Sequence, residues 1–220
     1  MKTLVLLLAA MVPALTGAQE DVKSVPLPPP TPANAQQSAA PSTEALTWVQ
    51  KHIAAWPEKT RQLAARLVTK YGPPTDVSEQ QVSWYKNGPW KRSTLYRAEV
   101  QHNFANPHQD VLEQVVAYKV PADKLAMLAA FNGSVVVNRT RGEMASISDG
   151  EDTNFLALNV ADDVIKGERD VEQARTYFAQ IIRARMIKEP EGYLQALKFK
   201  PATDSADPDE VAPLIKHMSQ

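Results

Sequence analysis

The chain has 220 residues, 44% hydrophobic and 22% charged, with a net charge of −1. So balanced a charge gives no global attraction to polyanions, and nucleic acid is not expected among the partners. There is no cysteine, which excludes a disulfide framework, thiolate metal sites and a cysteine nucleophile.

Met1-Lys2 gives a positive start, Thr3 to Leu15 is almost wholly apolar, and Thr16-Gly17-Ala18 supplies small residues. This pattern predicts a secretory signal peptide over 1–18, cleaved after Ala18. The apolar run is shorter than the roughly 20 residues of a membrane span and contains Pro13, so no integral membrane segment is expected after cleavage. Gln19 stands where a lipid-anchored protein needs Cys. The expected location is therefore secreted, and periplasmic if the source is bacterial, which the lack of cysteine favours. Residues 19–41 are rich in Pro, Ala and Gln and read as a disordered, extended linker.

Folding is predicted to begin near Ser42. Leu46, Val49 and Ile53 mark a first helix capped by Ser42 or Thr43. Pro57 breaks it, and a second helix with Leu63, Leu67 and Val68 on one face runs to Tyr71-Gly72-Pro73-Pro74. Val82 to Lys86 and Lys91 to Val100 read as strands around a turn at Asn87-Gly88-Pro89-Trp90, and Val111 to Val120 reads as a third strand. Ala122 to Phe131 is a short helix. Asn132-Gly133 leads into Ser134 to Val137, and pairing continues to Ile147 through either a bulge or a turn at Gly142. Asp149 and Asp152 start a helix that stops at Gly167, and Asp170 with Gln173 forms a capping box for the next. Two helices so closely joined pack as an antiparallel pair.

The expected fold class is therefore α+β: a largely antiparallel sheet of four to five strands, two N-terminal helices and a C-terminal helix pair. The folded domain spans 42–188, and 189–220 reads as a polar, mostly irregular tail. On a helical wheel Asn159, Asp162 and Asp163 lie opposite Ala157, Val160, Ala161 and Val164, so they are expected to form a wet face.

Two segments carry chemistry. His102 to Asp110 joins two predicted strands and holds two of the four histidines. His102, His108 and Asp110 offer two imidazoles and a carboxylate to a divalent metal, with Glu113 as a further ligand or base. Against this, a separation of six is not a standard ligand spacing, and Glu113 in a strand faces away from Asp110. The competing reading is a polar loop whose His and Asp bond to the backbone. The second segment, Trp84 to Arg92, interleaves aromatic and basic residues and could stack on sugars or pair with anions. Alternation puts Trp90, Arg92, Thr94 and Tyr96 on one face and Lys91, Ser93, Leu95 and Arg97 on the other. Arg139, Arg141 and Glu143 read as a surface ion-pair group. A nucleophile elbow, a phosphate-binding glycine loop, HExxH and a dinucleotide fingerprint are all absent from the sequence.

Tyr71-Gly72-Pro73-Pro74, Asn87 to Arg92, Pro107-His108 through Asp110 to Gln114, Arg139 to Met144 and Asn154 to Asn159 are distinctive together. On these motifs the stretch from Tyr71 to Met186 resembles an uncharacterised family of small exported bacterial proteins. The resemblance implies bacterial export and a single domain. The family has no known activity, so no role passes to any residue.

The functional expectation is a non-catalytic exported domain that binds an envelope protein or glycan through Trp90, Lys91, Arg92, His102 and His108, without a cofactor. The alternatives are a metal-assisted hydrolase using a divalent ion on His102, His108 and Asp110, and a structural or assembly role.

Overall fold

The computed structural model describes residues 43–187, 192–203 and 208–212. The predicted signal peptide, the linker and Ser42 lie outside them. Helix α1 spans Thr43–His52 and α2 Glu58–Tyr71; between them Trp56 is buried and donates from Nε1 to the Glu79 carbonyl at 3.2 Å. Six strands follow in an antiparallel sheet of order β1-β2-β3-β4-β6-β5. They are β1 (Asp76–Val77), β2 (Gln81–Asn87), β3 (Trp90–His102), β4 (His108–Ala117), β5 (Val135–Asn138) and β6 (Glu143–Ser148). Helix α3 (Leu125–Phe131) connects β4 to β5, and α4 (Glu151–Lys166) and α5 (Val171–Met186) close the domain. The fold is α+β as expected, with a two-residue β1 added at the edge and Gly142 (φ 58°) in a turn that separates β5 from β6.

The apolar residues of the sheet explain the layering. Leu112 packs with Val82, Trp84 and Leu95 beneath α1 and α2, while Val116 and Met144 pack beneath α3, α4 and α5. Leu112 and Val116 are four apart on one strand, so both helical groups cover the same sheet face. Register places Arg92, Glu113, Ile147 and Val136 on the other face. One face thus carries the helices and the main core, while the other holds the Arg92–Glu113 pair and the exposed Val136.

Both helix signals at the C-terminal end are realised. Gly167 adopts the left-handed conformation (φ 76°) that ends α4, and the Asp170–Gln173 capping box starts α5. The expected wet face of α4 is not wet. Asn159, Asp162 and Asp163 are each under 5% exposed, because the segment 192–203 lies over them. Asn159 donates to the carbonyls of Tyr193 (3.0 Å) and Ala196 (2.8 Å) and accepts from the Lys198 amide (2.6 Å). Tyr118 and Lys166 each donate to Asp162 at 2.7 Å, and Arg169 and Tyr193 meet Asp163. Leu194 is buried in the main core. The segment includes a short 3-10 helix over Gly192–Leu194 and is docked on α4. No helix of the described residues is long and apolar enough to cross a membrane.

Candidate functional site

Strands β3 and β4 form a hairpin closed by residues 103–107, and its register pairs His102 directly with His108 and Val100 with Asp110. Residues two apart on a strand share a face, and directly opposed residues are neighbours. The separation of six that looks irregular for a helix or loop site is therefore the natural spacing across this hairpin. Phe104 fixes the connecting loop by packing on Phe131 and Phe178, with the Arg175 guanidinium 4.0 Å above its ring. The two histidines and the carboxylate thus stand on a rigid support.

His102, His108 and Asp110 converge, with one ligand atom from each lying within 4.8 Å of the others. His102 Nδ1 is 3.4 Å from Asp110 Oδ2, and His108 Nε2 is 3.0 Å from Asp110 Oδ1. The Asp110 side chain is only 7% exposed. His108 Nδ1 donates to the Asn106 carbonyl at 2.8 Å, since a carbonyl can only accept. Asp110 Oδ1, facing Nε2 at 3.0 Å, is buried with no other hydrogen-bond partner. The histidines are perturbed in opposite directions. The Asp110 carboxylate holds His108 above the usual imidazole value. Burial pushes His102 below it, against the pull of Asp110.

Ser134, which no sequence signal singled out, completes the group. Its hydroxyl donates to Asp110 Oδ2 and lies 3.2 Å from His102 Nδ1. Its amide bonds to Asn132 Oδ1, and its carbonyl accepts from the Ile147 amide at 3.0 Å. The turn chemistry of Asn132-Gly133 therefore aims this hydroxyl. The arrangement is not a Ser-His-Asp nucleophile: serine and aspartate approach the same ring nitrogen, and the serine proton is given directly to the carboxylate. Glu113 belongs to another pairing. It accepts from Arg92 and Tyr96, each at 2.8 Å, and burial and this carboxylate push the Tyr96 hydroxyl up to about 12.

The hairpin β2–β3 corrects the expected binding surface. Lys86 (φ 53°) and Gly88 (φ 62°) both take left-handed conformations. Trp90 opposes Asn87 and turns into the core, 2% exposed and stacked 4.7 Å from Phe155. Its Nε1 donates to Glu151 Oε1 at 2.7 Å. Trp90 therefore does not share a surface with Arg92. A Cβ at Gly88 would also press on the Tyr71 ring at 3.1 Å, a contact tighter than most. Lys91 and Arg92 are exposed only in part and are engaged, Lys91 with Glu143 and Arg92 with Glu113, each at 2.8 Å. Arg139 reaches Asp209 rather than Glu143.

Glu151, the first residue of α4, is the other position that the sequence alone did not reveal. Its carboxylate accepts from Lys70, Tyr71, Trp90 and, at 3.3 Å, Gln114. Burial alone raises this carboxyl, but the bonds from Lys70, Tyr71 and Trp90 outweigh it and hold it below its usual range.

A groove of about 450 Å³ crosses the uncovered sheet face. Its floor is apolar, with Ala98 and Val100 of β3, Ile147 of β6 and Val136 of β5. Glu113 supplies a polar group from this face, and Asp110, paired with Val100 beyond the register shift after Leu95, borders the groove with Ser134. Of the expected site residues, the structure brings His102, His108 and Asp110 together and leaves Trp90, Lys91 and Arg92 outside both this cluster and the groove lining. Comparison with protein-family models, curated proteins and solved structures returned no match.

Proposed function

We propose that this protein is an exported, non-catalytic binding domain whose uncovered sheet face takes an extended, mainly apolar segment of an envelope protein. The observation that carries this is the groove itself. Its volume of about 450 Å³ falls in the range of roughly 300–1,000 Å³ typical of ligand sites. Val100 is 62% and Val136 47% exposed, and both line this one concavity. Single exposed apolar residues are ordinary, whereas apolar side chains gathered in a groove rimmed by polar groups favour contact with a partner. Export rests on residues 1–18.

A protein segment suits the groove better than a glycan. Sugar recognition uses free aromatic faces, and Tyr96 is the one aromatic side chain among the described residues that line the groove, beside the aliphatic Ala98, Val100, Val136 and Ile147. The test is binding of short valine- and leucine-rich peptides, with cell-wall oligosaccharides compared in parallel by fluorescence polarisation. Peptides should bind, and Val136→Asp should weaken them about tenfold, or ~1.4 kcal/mol, without lowering the melting temperature. Exclusive binding of oligosaccharides, or peptide binding indifferent to Val136→Asp, would contradict the assignment.

A further inference from the structure

We infer that His102, His108 and Asp110 form a binding site for a divalent transition-metal ion, with zinc the first candidate. This site goes beyond the groove and does not depend on what the groove binds. Three independent features of the cluster point to it.

The first is tautomeric. His108 gives its Nδ1 proton to the Asn106 carbonyl, so in the neutral ring the Nε2 lone pair is free. A backbone carbonyl behind the distal nitrogen is the usual outer-shell partner of a metal-ligating histidine, because it fixes the ring and raises its basicity. The second is the facing oxygen. Asp110 Oδ1 lies 3.0 Å from Nε2 and is buried with no hydrogen-bond partner. Two acceptors at that separation repel each other, and each lacks a donor. Either a proton on Nε2 or a cation between the two atoms removes the conflict. A cation would draw in His102 as well, because it accepts lone pairs from directions that need not be collinear.

The third is metric. Bonds of about 2.1 Å in a tetrahedral site put neighbouring ligand atoms about 3.4 Å apart. The nitrogen-to-oxygen separations, 3.4 Å from His102 to Oδ2 and 3.0 Å from His108 to Oδ1, are of that size, so each imidazole has a carboxylate oxygen at ligand spacing. One ligand atom from each residue falls within 4.8 Å of the others, so the two imidazoles must close toward each other when the ion binds. Two imidazoles with one carboxylate select zinc and its first-row neighbours over magnesium or calcium, which prefer oxygen ligands alone. Ser134, hydrogen-bonded to Asp110 Oδ2, then serves as a positioning residue that orients the carboxylate. Three protein ligands leave a coordination position for water or for an atom of a bound partner. Asp110 and Ser134 also line the groove, so metal and groove occupant would meet there.

The test uses the full chain, stripped of metal by a chelator and titrated with zinc by calorimetry and with cobalt(II) by visible absorption. One ion should bind per chain. Asp110→Asn and His108→Gln should each reduce affinity by more than a hundredfold. Ser134→Ala should reduce it by about 10- to 100-fold, as loss of an outer-shell partner does, and His52→Gln should leave it unchanged. Proton NMR of the histidine rings gives a readout that needs no variant: zinc should shift His102 and His108 and leave His52 in place. Absence of stoichiometric binding, or binding that persists in Asp110→Asn and His108→Gln, or zinc shifts confined to other histidines, would overturn the site and leave a protonated histidine–aspartate pair instead.

Discussion

Replacing Glu151 tests whether Trp90 is an internal anchor, as its burial requires. The Glu151 carboxylate accepts from the Trp90 indole N–H at 2.7 Å, from the Tyr71 hydroxyl and from Lys70. A hydrogen bond to a charged group contributes about 1.5–3 kcal/mol, and a buried donor left without an acceptor costs a comparable amount. The Lys70 side chain is 52% exposed, so its ion pair adds at most about 1 kcal/mol. Glu151→Ala strands the indole and phenol donors together and should cost about 3–5 kcal/mol. For a domain of this size that lowers the melting temperature by on the order of 10 °C. Glu151→Gln keeps one oxygen acceptor but removes the charge, and should cost about 1–2 kcal/mol. The pH dependence has a definite sign. Because the folded carboxyl titrates below its ordinary value, its contribution is complete above the unfolded value of about 4.3. It is lost as pH falls through the lower, folded value. Urea denaturation at neutral and acid pH should therefore show the gap between wild type and Glu151→Gln narrowing in acid. A Glu151→Ala protein as stable as wild type, or a gap that does not narrow, would refute the anchoring role.

Two further outcomes follow from the same packing. Trp90→Ala should unfold or strongly destabilise the domain by about 3–5 kcal/mol, and Trp90→Phe should recover much of that loss, as seen in thermal melts; a stable Trp90→Ala protein would return Trp90 to the surface. Asn159→Ala removes three bonds that hold residues 193–198 on α4, so amide exchange and limited proteolysis should accelerate in that segment first while the sheet amides stay protected. Unchanged protection at Lys198 would show that the buried Leu194 alone holds the segment down.

Much of the architecture was readable from local signals. The two N-terminal helices, the α4 stop at Gly167 and the α5 capping box follow from apolar spacing, glycine conformation and side-chain capping. The face of Trp90 was not readable by alternation: it opposes Asn87 right beside the turn and turns inward onto Phe155 and Glu151. The polar side of α4 defeated the helical wheel for a different reason. Periodicity separates apolar from polar residues, but it does not say whether a polar face meets water or a chain segment with carbonyls and amides to satisfy. Asn159 meets such a segment. The metal-type ligands were found in the sequence, but their convergence came from register. In an antiparallel hairpin whose loop spans five residues, positions i and i+6 oppose each other, as His102 and His108 do. Ser134 and Glu151 left no local mark, since the partners of their side chains lie 24 or more positions away in sequence.

The most direct test of the proposed function is to map the binding surface in solution. Amide NMR spectra of the full chain, recorded as a short valine- and leucine-rich peptide is added, report which residues respond. The groove account predicts shifts concentrated at Tyr96, Ala98, Val100, Val136 and Ile147, with Asn87 to Arg92 unaffected. Shifts centred on the β2–β3 turn, or none at saturating peptide, would contradict it.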